Sequence, residues 1–158
     1  MGPKPSFPTV PIKEVPASVP ENSSTTYRPV VLVVDDESAV ADTLAEVFTR
    51  SGYAAMPTYD AEDALETALL MPPELLITDV FLPGKSGIEL AVTVRGIFPD
   101  CKILLFSGQA AAADLLALAN RKGHRFEVIS KPLRPSELLG WASRSLKQRG
   151  SKPGGKSK

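Results

Sequence analysis

Val30-Val31-Leu32-Val33-Val34-Asp35-Asp36 places five consecutive apolar residues, four of them β-branched, directly before two carboxylates. An apolar run without alternation is a strand covered on both faces, as occurs in the middle of a parallel sheet. Such a strand needs helices on either side, so the stretch already points to an α/β protein.

Working outward, a helix follows with Asp36 as N-cap, apolar positions at Val40, Leu44, Val47 and Phe48, and Gly52 just past its end. Tyr53 to Thr58 reads as a second strand. Asp60 caps a helix through Ala64, Leu65, Ala68 and Leu69, which Pro72-Pro73 stops before a third strand, Leu75 to Thr78, running into Asp79. Ser86-Gly87-Ile88-Glu89 is a capping-box pattern opening a helix through Leu90, Val94 and Ile97, closed by Pro99. A fourth strand (Ile103 to Phe106), a fourth helix (about Ala110 to Lys122, with Gly123 behind it) and a fifth strand ending in Phe126-Glu127-Val128-Ile129 follow. The last helix starts near Pro135 and buries Leu138, Leu139, Trp141, Ala142 and Leu146. Five β-α units joined by right-handed crossovers give a flavodoxin-like open parallel sheet, strand order 2-1-3-4-5, with helices on both faces.

The flanks differ from this pattern. Seven of the fifteen prolines lie in residues 1–29, which carry no apolar periodicity and read as a Pro-rich disordered leader. Residues 30–146 form the expected domain. Residues 147–158, with five basic and no acidic side chains among Gly, Ser and Pro, read as a basic flexible tail. The domain itself has ten basic and sixteen acidic side chains, which argues against direct DNA binding. One cysteine, Cys101, excludes an intramolecular disulfide, and no segment reaches the roughly 20 apolar residues of a membrane span. A cytoplasmic protein with no membrane association, a monomer or weak dimer, is expected.

Ligands of such sheets bind beyond the carboxyl ends of the strands, near the point where strand order reverses. Asp35 and Asp36 end strand 1, Asp79 ends strand 3, Ser107 ends strand 4 and Lys131 follows strand 5, so all five share one rim. Taken singly, Asp36 could equally cap a helix, Ser107 could cap the next one, and Lys131 could simply be solvated. Together the three carboxylates repel one another unless a cation neutralises them, and Mg2+, a hard ion that takes carboxylate and phosphate oxygens, is the natural one. An aspartate beside such an ion can act as a nucleophile and form an acyl phosphate. Lys131 would offset phosphoryl charge and Ser107 would donate a hydroxyl.

Four segments carry a family resemblance: Val31 to Glu37, Thr78 to Gly87, Leu105-Phe106-Ser107-Gly108 and Ser130-Lys131-Pro132. They resemble the signature segments of response-regulator receiver domains, in the same order and with spacings of 43, 28 and 24 residues from Asp36 to Asp79, Ser107 and Lys131. The resemblance covers residues 30–146. It implies that Asp79 is the phosphoacceptor, that Asp35, Asp36, Asp79 and the Phe81 carbonyl hold Mg2+, and that Ser107 and Lys131 bind phosphoryl oxygens. It further implies a cis Lys131-Pro132 bond, and a histidine kinase or histidine phosphotransfer protein as donor.

Two positions depart from that family. The residue three before the lysine, commonly aromatic and mobile in the switch, is Val128, which has neither the size nor the hydroxyl for that motion. Phe126, two residues away, is a conceivable substitute. The positions bordering the path of hydrolytic water are Phe81 and Gln109, and the bulk of Phe81 is expected to slow loss of the phosphoryl group. His124, the only histidine, reads as a loop residue, and Trp141 as core.

Only seventeen residues follow Trp141, too few for an effector domain, so a downstream protein effector in trans is expected; a receiver excised from a longer regulator would read the same. The expected function is a phosphorelay switch, not an enzyme beyond self-phosphorylation and slow self-dephosphorylation. The alternatives are a pseudo-receiver acting as a binding module and an Mg2+-dependent phosphohydrolase. The second is disfavoured because Phe81 stands where a second catalytic carboxylate would be.

Overall fold

A computed structural model describes residues 27–108, 110 and 112–151, the last four as backbone only. The expected leader up to residue 26, the tail from residue 152 and Gln109 lie outside the described residues. Strands β1 (Val30–Val34), β2 (Ala54–Thr58), β3 (Leu75–Asp79), β4 (Lys102–Ser107) and β5 (Glu127–Ser130) alternate with helices α1 (Ser38–Arg50), α2 (Ala61–Leu70), α3 (Gly87–Ile97), α4 (Ala112–Arg121) and α5 (Pro135–Ser151). All strand pairs are parallel and the order is β2-β1-β3-β4-β5, the arrangement expected from the sequence.

The apolar run of β1 serves both faces of the sheet. Val31 and Val33 join Leu75, Ile77, Leu104 and Phe106 beneath α1 and α5, whereas Leu32 and Val34 join Leu76, Ile103 and Leu105 beneath α2, α3 and α4. The side chains of Val31, Leu32, Val33 and Val34 are fully buried, and each such burial contributes about 1.5 to 3 kcal/mol. β2 lies at the edge, where Pro57 removes no ladder hydrogen bond that a central strand would need.

The helix starts follow their capping chemistry. Asp60 accepts the Asp63 N–H at 2.7 Å, and Ser86 and Glu89 close both halves of the capping box at 3.1 and 3.2 Å. Asp36 does not cap α1: the helix begins at Ser38, so the N-cap is Glu37, which makes no side-chain cap bond, and the Glu37 N–H donates to Asp35.

Helix ends differ from the sequence pattern in several places. Leu69 and Ile97, expected on buried stripes, are 55% and 45% exposed at the last turns of α2 and α3, beyond the sheet they would need to cover. β5 begins at Glu127, so Phe126 precedes the strand, and α4 begins at Ala112 after a turn in which Ala110 accepts from Ala113. α5 runs to Ser151 rather than stopping at 146, since residues 147–151 contain no proline to break it. Among the described residues no helix is long and apolar enough to cross a membrane.

Candidate functional site

Asp35 follows β1, Asp79 ends β3 and Ser107 ends β4; Lys131 comes directly after β5. Parallel pairing in register, Val34 with Thr78, Asp79 with Phe106 and Ser107 with Ser130, brings these ends to one rim. Asp35 is fully buried, Asp79 and Ser107 nearly so, while Asp36 stands at the exposed lip. α4 starts too far along the chain for Ser107 to cap it.

Each carboxylate oxygen has a definite neighbour or a definite lack of one. The Asp35 main chain is anchored by its N–H donating to the Thr58 carbonyl at 3.1 Å, and its Oδ1 accepts the Glu37 N–H at 2.9 Å. Asp79 Oδ1 accepts the Phe81 N–H at 3.2 Å, and its Oδ2 accepts from Lys131 Nζ at 3.1 Å. Asp35 Oδ2 is buried and accepts no hydrogen bond; Lys131 Nζ lies 3.7 Å from it, an electrostatic distance that leaves its lone pairs free. Lys131 is thus directed into the cluster and only partly exposed, with its Nζ 5.3 Å from the Phe106 ring centroid.

Burial pushes the Asp35 carboxyl above the ordinary value, and the neighbouring charges of Asp79 and Asp36 add to the rise, against the opposing pull of the Glu37 N–H and Lys131. For Lys131 burial acts downward, but the hydrogen bond and charge of Asp79, with Asp35 and Glu37 behind it, outweigh it and hold the ammonium above its usual value. One ligand atom from each of Asp35, Asp36 and Asp79 falls within 4.8 Å of the others. An all-oxygen donor set with one buried oxygen left without a hydrogen bond fits a hard divalent cation.

Two supports were not visible in the sequence pattern. Gly87 reads there as a turn and capping-box residue, but its N–H donates to the Val80 carbonyl at 2.7 Å, and a Cβ on it would lie 1.9 Å from the Asp79 carbonyl oxygen. The hydroxyl of Thr78, buried behind the site, donates to the same Asp79 carbonyl at 3.0 Å. The only available signal was glycine at a first helical position, where a better helix former would ordinarily stand.

Lys131-Pro132 is cis, as the resemblance implied. Phe81 is half-buried and packs on the core beneath α2, α3 and α4. Val128 is 44% exposed, and Phe126 is held away from the rim with the Arg95 guanidinium stacked 4.3 Å from its ring centroid, so it does not replace the missing aromatic. Trp141 is core, with its indole N–H donating to the Glu127 carboxylate. His124 follows Gly123 in a loop, its N–H donating to Ala119.

A five-stranded doubly wound sheet with acidic residues and one lysine on its carboxyl rim defines a class of α/β proteins that bind ligands at the strand-order switch point. Within that class the chain matches the response regulator receiver domain family over residues 31–142, and it belongs to that family, the receivers of two-component systems. It is 29% identical over 116 residues to the DNA-binding transcriptional regulator NtrC of Azospirillum brasilense, covering 73% of this chain but only 24% of that protein. The structure of NtrX from Brucella abortus superposes with a TM-score of 0.69 at 26% identity, over 80% of this chain and 29% of that one. A CheY-like receiver domain protein from Methanospirillum hungatei JF-1 superposes at 0.72 and 23% identity over 80% of this chain and all of that one, a likeness of fold.

Proposed function

We propose that this chain is a phosphoacceptor switch of a two-component phosphorelay, phosphorylated on Asp79 in the cytoplasm and read by a protein effector in trans. The observation that carries the reading is the Asp79 carboxylate, hydrogen bonded to Lys131 beside an Asp35 oxygen that accepts no hydrogen bond. Asp35, Asp36, Asp79 and the Phe81 carbonyl would hold Mg2+, which when bound neutralises the carboxylates and the incoming phosphoryl oxygens.

An Asp79 oxygen attacks the phosphorus of a phosphohistidine donor; the P–O bond forms as the P–N bond breaks, and the imidazole leaves to be protonated by solvent. The Phe81 N–H holds Oδ1 and so fixes the plane of the carboxylate. Lys131 turns its ammonium to the phosphoryl oxygens as Asp79 loses its charge, and the Ser107 hydroxyl donates to them. A histidine kinase or phosphotransfer protein suits the surface beside the site. A cleft of about 390 Å3 lined by Val40, Leu44, Pro132 and Leu133 opens next to Lys131 and offers such a protein an apolar foothold.

The test is incubation with acetyl phosphate and Mg2+, followed by intact mass. Wild type should gain one phosphoryl group and Asp79→Asn none. An unmodified wild type would leave a pseudo-receiver binding module, and sustained release of phosphate over many turnovers would indicate a phosphohydrolase.

A further inference from the structure

Charge is divided along this chain. Residues 35–74 hold ten acidic side chains against one basic, and residues 85–125 hold six basic against three acidic. Within the basic part, a groove of about 490 Å3 lies between α3 and α4. Its floor consists of two facing stripes, Ile88 and Val92 on α3 and Leu115, Leu118 and Ala119 on α4, each at the spacing of one helix face. Ile88 and Ala119 are buried at the bottom, but Leu118 is left 42% exposed at the mouth.

Cations stand at both ends of this floor. Lys85 precedes the start of α3, and Lys122 follows the end of α4, which runs the same way along the sheet. Among the described residues neither lysine forms a salt bridge. Glu89 is the one carboxylate lining the groove, and its Oε1 is already taken by the Ser86 N–H.

We propose that this groove is a docking site for an amphipathic helix of a partner protein, one that carries acidic residues at both ends of a short apolar stripe. From Gly87 to Thr93 the α3 wall rises about 9 Å at ~1.5 Å per residue, room for a little under two turns of a partner helix. Apolar anchors at i, i+4 and i+7 would occupy the floor while the carboxylates meet Lys85 and Lys122. A nucleic acid or anionic membrane does not suit the site, because sixteen acidic side chains against ten basic in residues 30–146 repel an extended polyanion. The proposal stands apart from the assignment of Asp79.

The experiment titrates the 15N-labelled full chain with a synthetic helical peptide bearing three leucines at that spacing and glutamates at both ends, and with its twin carrying lysines in their place. The acidic peptide should shift the amides of Ile88, Val92, Leu118 and Lys122 saturably, and the twin should not. The double variant K85E/K122E should bind about tenfold more weakly. Leu118→Glu, a change at an exposed position that spares the fold, should abolish binding. Equal response to both peptides, or none to either, overturns the proposal. So does a shift of the same amides with the protein's own concentration, accompanied by dimerisation that Leu118→Glu removes. That result would assign the groove to a second copy, whose own α2 offers exposed Glu62, Glu66 and Leu69.

Discussion

Gly87 and Asp79 are so close that a side-chain carbon on the glycine would lie 1.9 Å from the aspartate's carbonyl oxygen. No rotamer change relieves this, because the obstructed atom is backbone. Gly87→Ala must therefore move the start of α3 away from the end of β3, breaking the Gly87 N–H to Val80 bond and shifting the Asp79 carboxylate. The expected cost is about 1 to 3 kcal/mol in urea unfolding, the usual range for overpacking. Uptake of phosphoryl from acetyl phosphate should slow by more than the stability loss explains; an unchanged rate would remove Gly87 from the positioning of the site.

Burial of the Asp35 carboxylate should make the metal-free protein less stable than an uncharged equivalent. Its folded pKa is raised above the ordinary 3.8, so between that value and the raised one the folded state binds more protons than the unfolded. Stability then falls as pH rises through this window, and the deficit persists above it. Asp35→Asn keeps an acceptor for the Glu37 N–H and cannot ionise, so without metal it should be more stable than wild type at pH 7, by about 1 to 3 kcal/mol. The gap should close below the window. Added Mg2+ should stabilise wild type and leave the variant unmoved in thermal melts, which separates a metal site from a merely strained carboxylate.

Phe81 stands two residues after Asp79, and its ring is held by the core beneath α2, α3 and α4 rather than free to swing. An apolar side chain at this position offers an attacking water no hydrogen-bond partner. Phe81→Asn should accelerate loss of the phosphoryl group by about tenfold, equivalent to ~1.4 kcal/mol of barrier. The readout is the decay of the phosphorylated mass after the donor is removed; an unchanged decay would refute the steric account.

The β-branched run before Asp35-Asp36, the prolines and the capping box at Ser86 are local signals, and each produced its element where the sequence placed it. Strand order and the convergence of Asp35, Asp79 and Lys131 were legible because parallel β-α units bring all strand ends to one rim. What was not legible depended on through-space contacts. Asp36 fits a capping pattern, yet α1 begins one residue later and its N-cap is Glu37. Leu69 and Ile97 match apolar periodicity but lie past the reach of the sheet. The closeness of Gly87 to Asp79 exists only once α3 has folded back onto β3. A linear pattern gives the face of an element, not the distance to its neighbour.

Phe106 and Val128 lie on adjoining strands and differ sharply in what they support. Phe106 is fully buried under α1 and α5, and the Lys131 ammonium lies 5.3 Å from its ring centroid, whereas Val128 is 44% exposed on the edge strand. Val128→Ala should change stability by less than about 0.5 kcal/mol and leave phosphorylation as it was. Phe106→Leu retains most of the apolar volume and should cost under about 1.5 kcal/mol. It removes the ring beside Lys131, however, so the ammonium should lose its orientation and the rate of phosphorylation should fall. Urea unfolding and a phosphorylation time course on the two variants decide the matter. If Val128→Ala instead slows phosphorylation while Phe106→Leu does not, the edge strand rather than the ring governs the placement of Lys131.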